Sequence, residues 1–279
     1  MAGHPRGIDW LCTDPSTSDE VPPQMTRTSG TSIIAAPCCR TKLATPQYGS
    51  INLSAFEDWT DGQTVGSLSP FDGGLRRCTC GGYFLLRQAE AVGYLPRLNP
   101  RAPVGWEKRS LLSRILGKSE AEREHIRSIY DTRPETKIAA DEALVPPDAA
   151  RVRDTELPSI LNSHIQDTGI LEVVRRRRWR HLNDSYREVY RLHKKSGAVT
   201  YPEFEPTPEQ IDNMQQLLLI VERSSSPDWL EVAELHRELG EFDKALACLN
   251  HVDAEEQDVA SIQRDLIAKG LKCPVRYRF

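Results

Sequence analysis

The sequence predicts a multi-domain α+β chain, a small β domain held by cysteines followed by an all-α domain. Three observations carry this. Four of the seven cysteines fall in two tight pairs, in "APCCRTK" and "RRCTCGG", among short β-compatible runs and turn signals. From residue 159 onward apolar residues recur at helical spacing, with a capping pattern at one start and a glycine at one end. Between the two regions lies a stretch bounded by the proline-rich segments "YLPRLNPRAP" and "ALVPPDAARVRDTELP".

The 279 residues suit two modest domains plus tails. Hydrophobic residues make up 39% and prolines number 19, so a sizeable fraction is expected to stay unpacked. The net charge of −4 gives no whole-chain attraction to nucleic acid or anionic lipid. The N-terminus has no apolar signal region, and the longest aliphatic run, "LLLIV", is far short of a membrane span. A cytoplasmic, reducing location is expected, where paired cysteines bind metal or do chemistry more often than they form stable disulfides.

Taken in order, residues 1–30 are rich in Ser, Thr, Pro and Asp and read as a disordered tail, with one apolar spot at Trp10, Leu11 and Cys12. Residues 31–95 form the cysteine domain. "TSIIAAPCC" leads into the first pair, "YGSINLSAF" is β-compatible, "WTDGQT" and "SPFDGG" are turns, and apolar "YFLL" follows the second pair. Residues 96–158 read as a connector with one short charged helix, "SEAEREHIRSIYD", on which His125 is an exposed residue. In residues 159–279, Leu171, Val174, Leu182, Tyr186, Val189 and His193 share one face. Thr207 and Gln210 make a capping box, and a last helix is expected over about 254–269, stopped by Gly270.

Cys38, Cys39, Cys78 and Cys80 are the candidate metal ligands. Four thiolates suit tetrahedral Zn²⁺, and a small β region with little core gains folding free energy from such a staple. The usual zinc-ribbon turn is C-P-x-C-G. Neither pair keeps its spacing, although Pro37 and Gly81 stand where that turn commonly has proline and glycine. Three readings stay open. All four thiols hold a structural zinc. A degenerate ribbon holds no metal, or recruits Asp61 or Asp72. A redox dithiol operates instead, in which Arg76 and Arg77 make Cys78 reactive.

The run "APCC…INLSAFEDWTDG…SPFDGGLRRCTCGGYFLL" resembles uncharacterised bacterial proteins with a split zinc ribbon, in which cysteine turns flank an Asn-containing strand and a Trp-Thr/Ser-Asp-Gly segment, with a helical region after them. The matching positions are the four cysteines with Asn52, Trp59, Asp61 and Gly62. The resemblance implies a zinc-ribbon-like domain and no particular activity. Trp59 and Asp61 read either as a turn with Trp59 covering the metal site, or as a recognition loop offering an aromatic and an acid to a partner.

"WLEVAELHRELGEFDKALACLNHV" resembles a single tetratricopeptide-type hairpin. Trp229, Val232, Ala233, Gly240, Phe242, Ala245, Leu249 and Val252 fall on that pattern, and His236 departs from it. The resemblance implies a protein-binding scaffold. Upstream, Arg175, Arg176, Arg177, Arg178, Trp179 and Arg180 form a basic aromatic helix. It reads either as a nucleic-acid groove or as a core helix whose arginines pair with acidic C-terminal segments such as "EPTPE" and "DAEEQD".

No phosphate-binding glycine loop, nucleophile elbow, zinc-protease motif or paired-carboxylate site stands out, so an enzyme is not expected. The combined expectation is a cytoplasmic adaptor that binds another protein, with structural Zn²⁺ and no membrane partner. A nucleic-acid-binding regulator or a thiol redox sensor are the alternatives.

Overall fold

The computed structural model describes residues 27–50, 57–66, 73–96 and 146–278. The spot at Trp10, the segment around Asn52, Asp72 and the connector helix with His125 lie outside them. The described chain is mixed α+β, with three small antiparallel sheets and a helical array.

Strand β1 (Arg27–Ala35) is central, pairing with β2 (Lys42–Ser50) and β7 (Glu90–Pro96). Strand β3 (Glu57–Trp59) lies between β4 (Thr64–Val65) and β9 (Arg276–Arg278). Strand β5 (Leu75–Arg77) lies between β6 (Tyr83–Leu85) and β8 (Ala150–Arg151). Two sheets therefore recruit strands from outside residues 31–95. A three-residue strand exposes most of its backbone polar groups, and a third strand satisfies them.

The helices are α1 (Leu157–Leu161), α2 (Thr168–Leu182), α3 (Asp184–Lys195), α4 (Pro208–Val221), α5 (Trp229–Glu238), α6 (Phe242–Leu249) and α7 (Gln257–Ala268). Asp167 caps α2 by accepting from Ile170 N at 2.9 Å, and its other oxygen accepts from Gln88 Nε2 at 2.7 Å. The capping box of α4 is present: Gln210 N donates to Thr207 Oγ1 at 3.2 Å, and Thr207 N donates to Gln210 Oε1 at 2.9 Å. Gly240 turns α5 into α6 with φ 78°, and Gly270 ends α7 with φ 66°.

The stretch expected as one apolar face divides at Asn183. On α3 the buried ring positions are Tyr186 and Tyr190, while Val189 is 51% exposed. The interruption rotates the face, so Val189 points outward and the tyrosines point in. The last helix is also shorter than expected, since residues 254–256 form a 3₁₀ turn before α7.

The core is continuous from sheet to helix. Ile34, Ala36, Leu43, Phe84 and Ala149 pack beneath Cys78. Leu75 and Leu85, on the same hairpin as Cys78, pack with Val152, Leu157, Ile160, Ile170, Val173 and Val174. Hairpin β5–β6 thus contributes to both clusters, and Ala149, Val152 and Leu157, at the end of the stretch read as a connector, pack with it. No helix among the described residues is long and apolar enough to cross a membrane.

Candidate metal centre

Two backbone turns bring the four cysteines together. In the first, Arg40 N donates to Ala36 O at 2.8 Å and Ala36 N donates to Thr41 O at 3.0 Å. This loop puts Arg40 at φ 60°, where the usual ribbon turn has glycine. In the second, Gly81 N donates to Cys78 O at 2.9 Å and Cys78 N to Gly82 O at 2.8 Å, with Gly81 at φ 89°. The turns approach closely at Gly82. A Cβ there would stand 3.3 Å from Cys38 Sγ and 3.5 Å from Cys80 Sγ.

All four Sγ atoms lie within 4.8 Å of one another. Cys38 Sγ is 3.4 Å from Cys80 Sγ, Cys39 Sγ is 3.4 Å from Cys78 Sγ, and the adjacent pair Cys38–Cys39 is 3.9 Å apart. A tetrahedron with metal–sulfur bonds of about 2.3 Å has edges of about 3.8 Å, so the spread brackets that geometry. The adjacent Cys-Cys and the Cys-x-Cys spacing, although unlike C-x-x-C, deliver four donors to one point. Cys78 is buried, and Cys38, Cys39 and Cys80 are exposed.

The electrostatics favour a cation. Desolvation, and then hydrogen bonds to the neighbouring thiols, push Cys38 up to about 12. Thr41, whose Oγ1 stands 3.0 Å from Cys39 Sγ and whose backbone also contributes, draws Cys39 down to about 6. Sulfurs this close cannot all ionise beside one another without a positive charge between them. A divalent ion, if bound by the four thiols, would supply that charge and deprotonate them. Thr41 and Gly82 were not singled out from the sequence. The signal available for each was only its place next to a cysteine turn.

The other candidate residues lie elsewhere. Trp59 is fully buried with Tyr186, Tyr190, Leu266, Cys273 and Val275, its ring edge-on to Tyr190 at 5.1 Å. It covers the helical core, not the thiols. The 59–62 turn closes through Gly62 N donating to Trp59 O at 2.9 Å, with Gly62 at φ 72°. Asp61 is buried and pairs with Arg187, and it accepts from Asn183 Nδ2 at 3.1 Å. It is neither an improvised metal ligand beside the thiols nor a residue displayed for a partner. Both side chains are enclosed by this chain's own helices.

The basic helix is likewise occupied internally. Arg175 NH1 reaches Asn213 Oδ1 at 3.5 Å. Arg176 bonds Glu231 and Glu172 at 2.7 and 2.9 Å, and Arg177 bonds Asp154 at 2.5 Å. Arg178 pairs with Glu209 of the "EPTPE" segment. Arg180 Nε donates to Asp61 O at 3.1 Å. Trp179 is buried and donates from Nε1 to Glu238 Oε2 at 2.8 Å. Comparisons with protein-family models, curated proteins and solved structures returned no match.

Proposed function

We propose that the chain is a protein-binding adaptor whose β region is a zinc-ribbon-like unit stapled by structural Zn²⁺ on Cys38, Cys39, Cys78 and Cys80. The observation that carries this reading is the convergence of four sulfurs within 4.8 Å. Four thiolates select a soft, tetrahedral ion, and they leave no coordination position for a substrate. That makes zinc a structural element and argues against a metal-dependent enzyme.

The helical part supports binding to a protein. Hairpin α5–α6 buries Val232, Ala233, Ala245 and Leu249 completely, which suits the close helix approach of a tetratricopeptide-like unit. Val189, Leu192 and Val199 are 51%, 60% and 89% exposed, an apolar contribution to the surface around α3. A nucleic-acid groove is less favoured, since the arginines of 175–180 are engaged within the chain.

The test has two parts. Elemental analysis of the purified chain should give about one zinc, lost when Cys78 and Cys80 are changed to serine. Capture from lysate should then be compared between the wild type and a Val189→Asp/Leu192→Asp variant. A partner lost from the variant supports the adaptor. Turnover of a small molecule, with no partner retained by either protein, would sink it.

A further inference from the structure

Resting on the zinc reading above, we infer that the four-thiol site is also an oxidation switch. A hydroperoxide would expel the metal and replace it with two defined disulfides, Cys38–Cys80 and Cys39–Cys78. The bridges would keep the two turns stapled.

The separations favour these pairs over the within-turn bridge Cys38–Cys39. Each crosses between the turns, each is separated by 3.4 Å, and each closes to about 2.0 Å with a shift of little more than an ångström. The within-turn alternative Cys38–Cys39 starts at 3.9 Å. Adjacent residues also hold their Cα atoms about 3.8 Å apart, below the 4.4–6.8 Å a relaxed disulfide wants. The favoured bridges link positions 42 and 39 residues apart, so they close the same chain segment that the metal closes.

Access and chemistry agree. Three of the four cysteines are exposed residues, and the fourth, Cys78, is buried with its sulfur 3.4 Å from that of Cys39. The Cys39 thiolate would attack one peroxide oxygen, forming a sulfenic acid and releasing hydroxide. The Cys78 thiolate then attacks that sulfur and displaces a second hydroxide. Cys38 and Cys80 do the same with a second peroxide. In sum, the zinc tetrathiolate, two hydrogen peroxides and four protons give two disulfides, one Zn²⁺ and four waters. Four electrons pass from sulfur to oxygen. A doubly negative centre becomes neutral at an exposed surface, while the connection between the turns survives.

The experiment uses the full zinc-loaded chain. Metal content is measured first, then hydrogen peroxide is added in steps, with released zinc read by a chromogenic chelator and disulfides mapped by mass spectrometry. The expected result is one zinc released per two peroxides, peptides cross-linked as Cys38–Cys80 and Cys39–Cys78, a circular dichroism spectrum retained, and recovery of zinc binding after reduction. Zinc that is bound but not released overturns the switch and leaves the structural reading intact. So does release with any other pairing of the four cysteines, intermolecular bridges or sulfinic acids. A purified chain that neither carries nor takes up zinc overturns both. A Cys80→Ser chain that still forms Cys39–Cys78 on oxidation, and leaves Cys38 open to alkylation, is the expected companion result.

Discussion

Asp61 and Arg187 form an ion pair whose side chains are 0% and 1% exposed, joining the turn after β3 to helix α3. Arg187 NH1 also donates to Arg180 O and Asp184 Oδ1, both at 2.7 Å, and its guanidinium stands 5.5 Å above the Trp59 ring. One acid and one aromatic of the Trp59–Gly62 turn thus meet one arginine of the helical region. Removing one member of a buried pair leaves the other desolvated and uncompensated. Asp61→Asn is expected to cost about 3 kcal/mol in urea unfolding. Lys269→Ala, which breaks the exposed Lys269–Asp265 pair, should cost well under 1 kcal/mol. Equal losses would mean that the Asp61 pair holds nothing together.

Glu238 sits at the far end of the same network. Its carboxylate accepts from Trp179 Nε1 at 2.8 Å and from Asn183 Nδ2 at 3.2 and 3.3 Å. Burial first, and then the charges of Glu234 and Asp61, raise its pKa well above the ordinary 4.5. The folded chain therefore keeps a proton that the unfolded chain has released, and this contribution to stability declines as pH rises above 4.5. Glu238→Gln removes the titration and keeps an oxygen for Trp179. Its stability should equal or exceed the wild type near neutral pH, with a flatter dependence on pH above 4.5. An unchanged slope would show that Glu238 is ionised in the fold.

Glu57 runs the opposite way. It is drawn down to about 2, chiefly by its hydrogen bonds with Arg191, assisted by Trp59 Nε1 and Arg276. A depressed carboxyl stabilises the fold above its unfolded value of 4.5, and that stability is lost as pH falls toward 2. After solvent screening the contribution is about 1–2 kcal/mol. Glu57→Gln should be less stable than the wild type at neutral pH, and the difference should vanish on acidification through that window. Parallel acid-unfolding curves for the two proteins would reject this.

Some of this was legible in the sequence, and the reasons divide cleanly. Thr207 with Gln210, Gly240 and Gly270 act over three or four residues, so their meaning is contained in the local text. The convergence of the two cysteine pairs was legible because the chemistry of thiols links distant positions. The placement of Trp59 and Asp61 was not, since the tyrosines and Arg187 that enclose them lie over 120 residues away. Strand β9 was equally hidden. Three residues, "RYR", carry no periodicity, and their strand state exists only because β3 offers Asp58 and Trp59 as partners.

Arg40 supplies the last test, because it occupies a left-handed backbone position that favours glycine. At φ 60° its Cβ crowds the backbone, at a cost of roughly 1–2 kcal/mol relative to glycine. Against this, Arg40 gains an ion pair with Glu90 at 2.6 Å, but both side chains are more than half exposed, so the gain is small. Glycine also loses more chain entropy on folding, which returns part of the relief. The balance favours Arg40→Gly by a few tenths to about 1 kcal/mol, seen as a higher melting temperature. Arg40→Ala keeps the strained conformation and loses the ion pair, so it should melt slightly below the wild type. A glycine variant that melts lower than the alanine variant would mean that the Glu90 contact or chain entropy, not backbone strain, governs this turn.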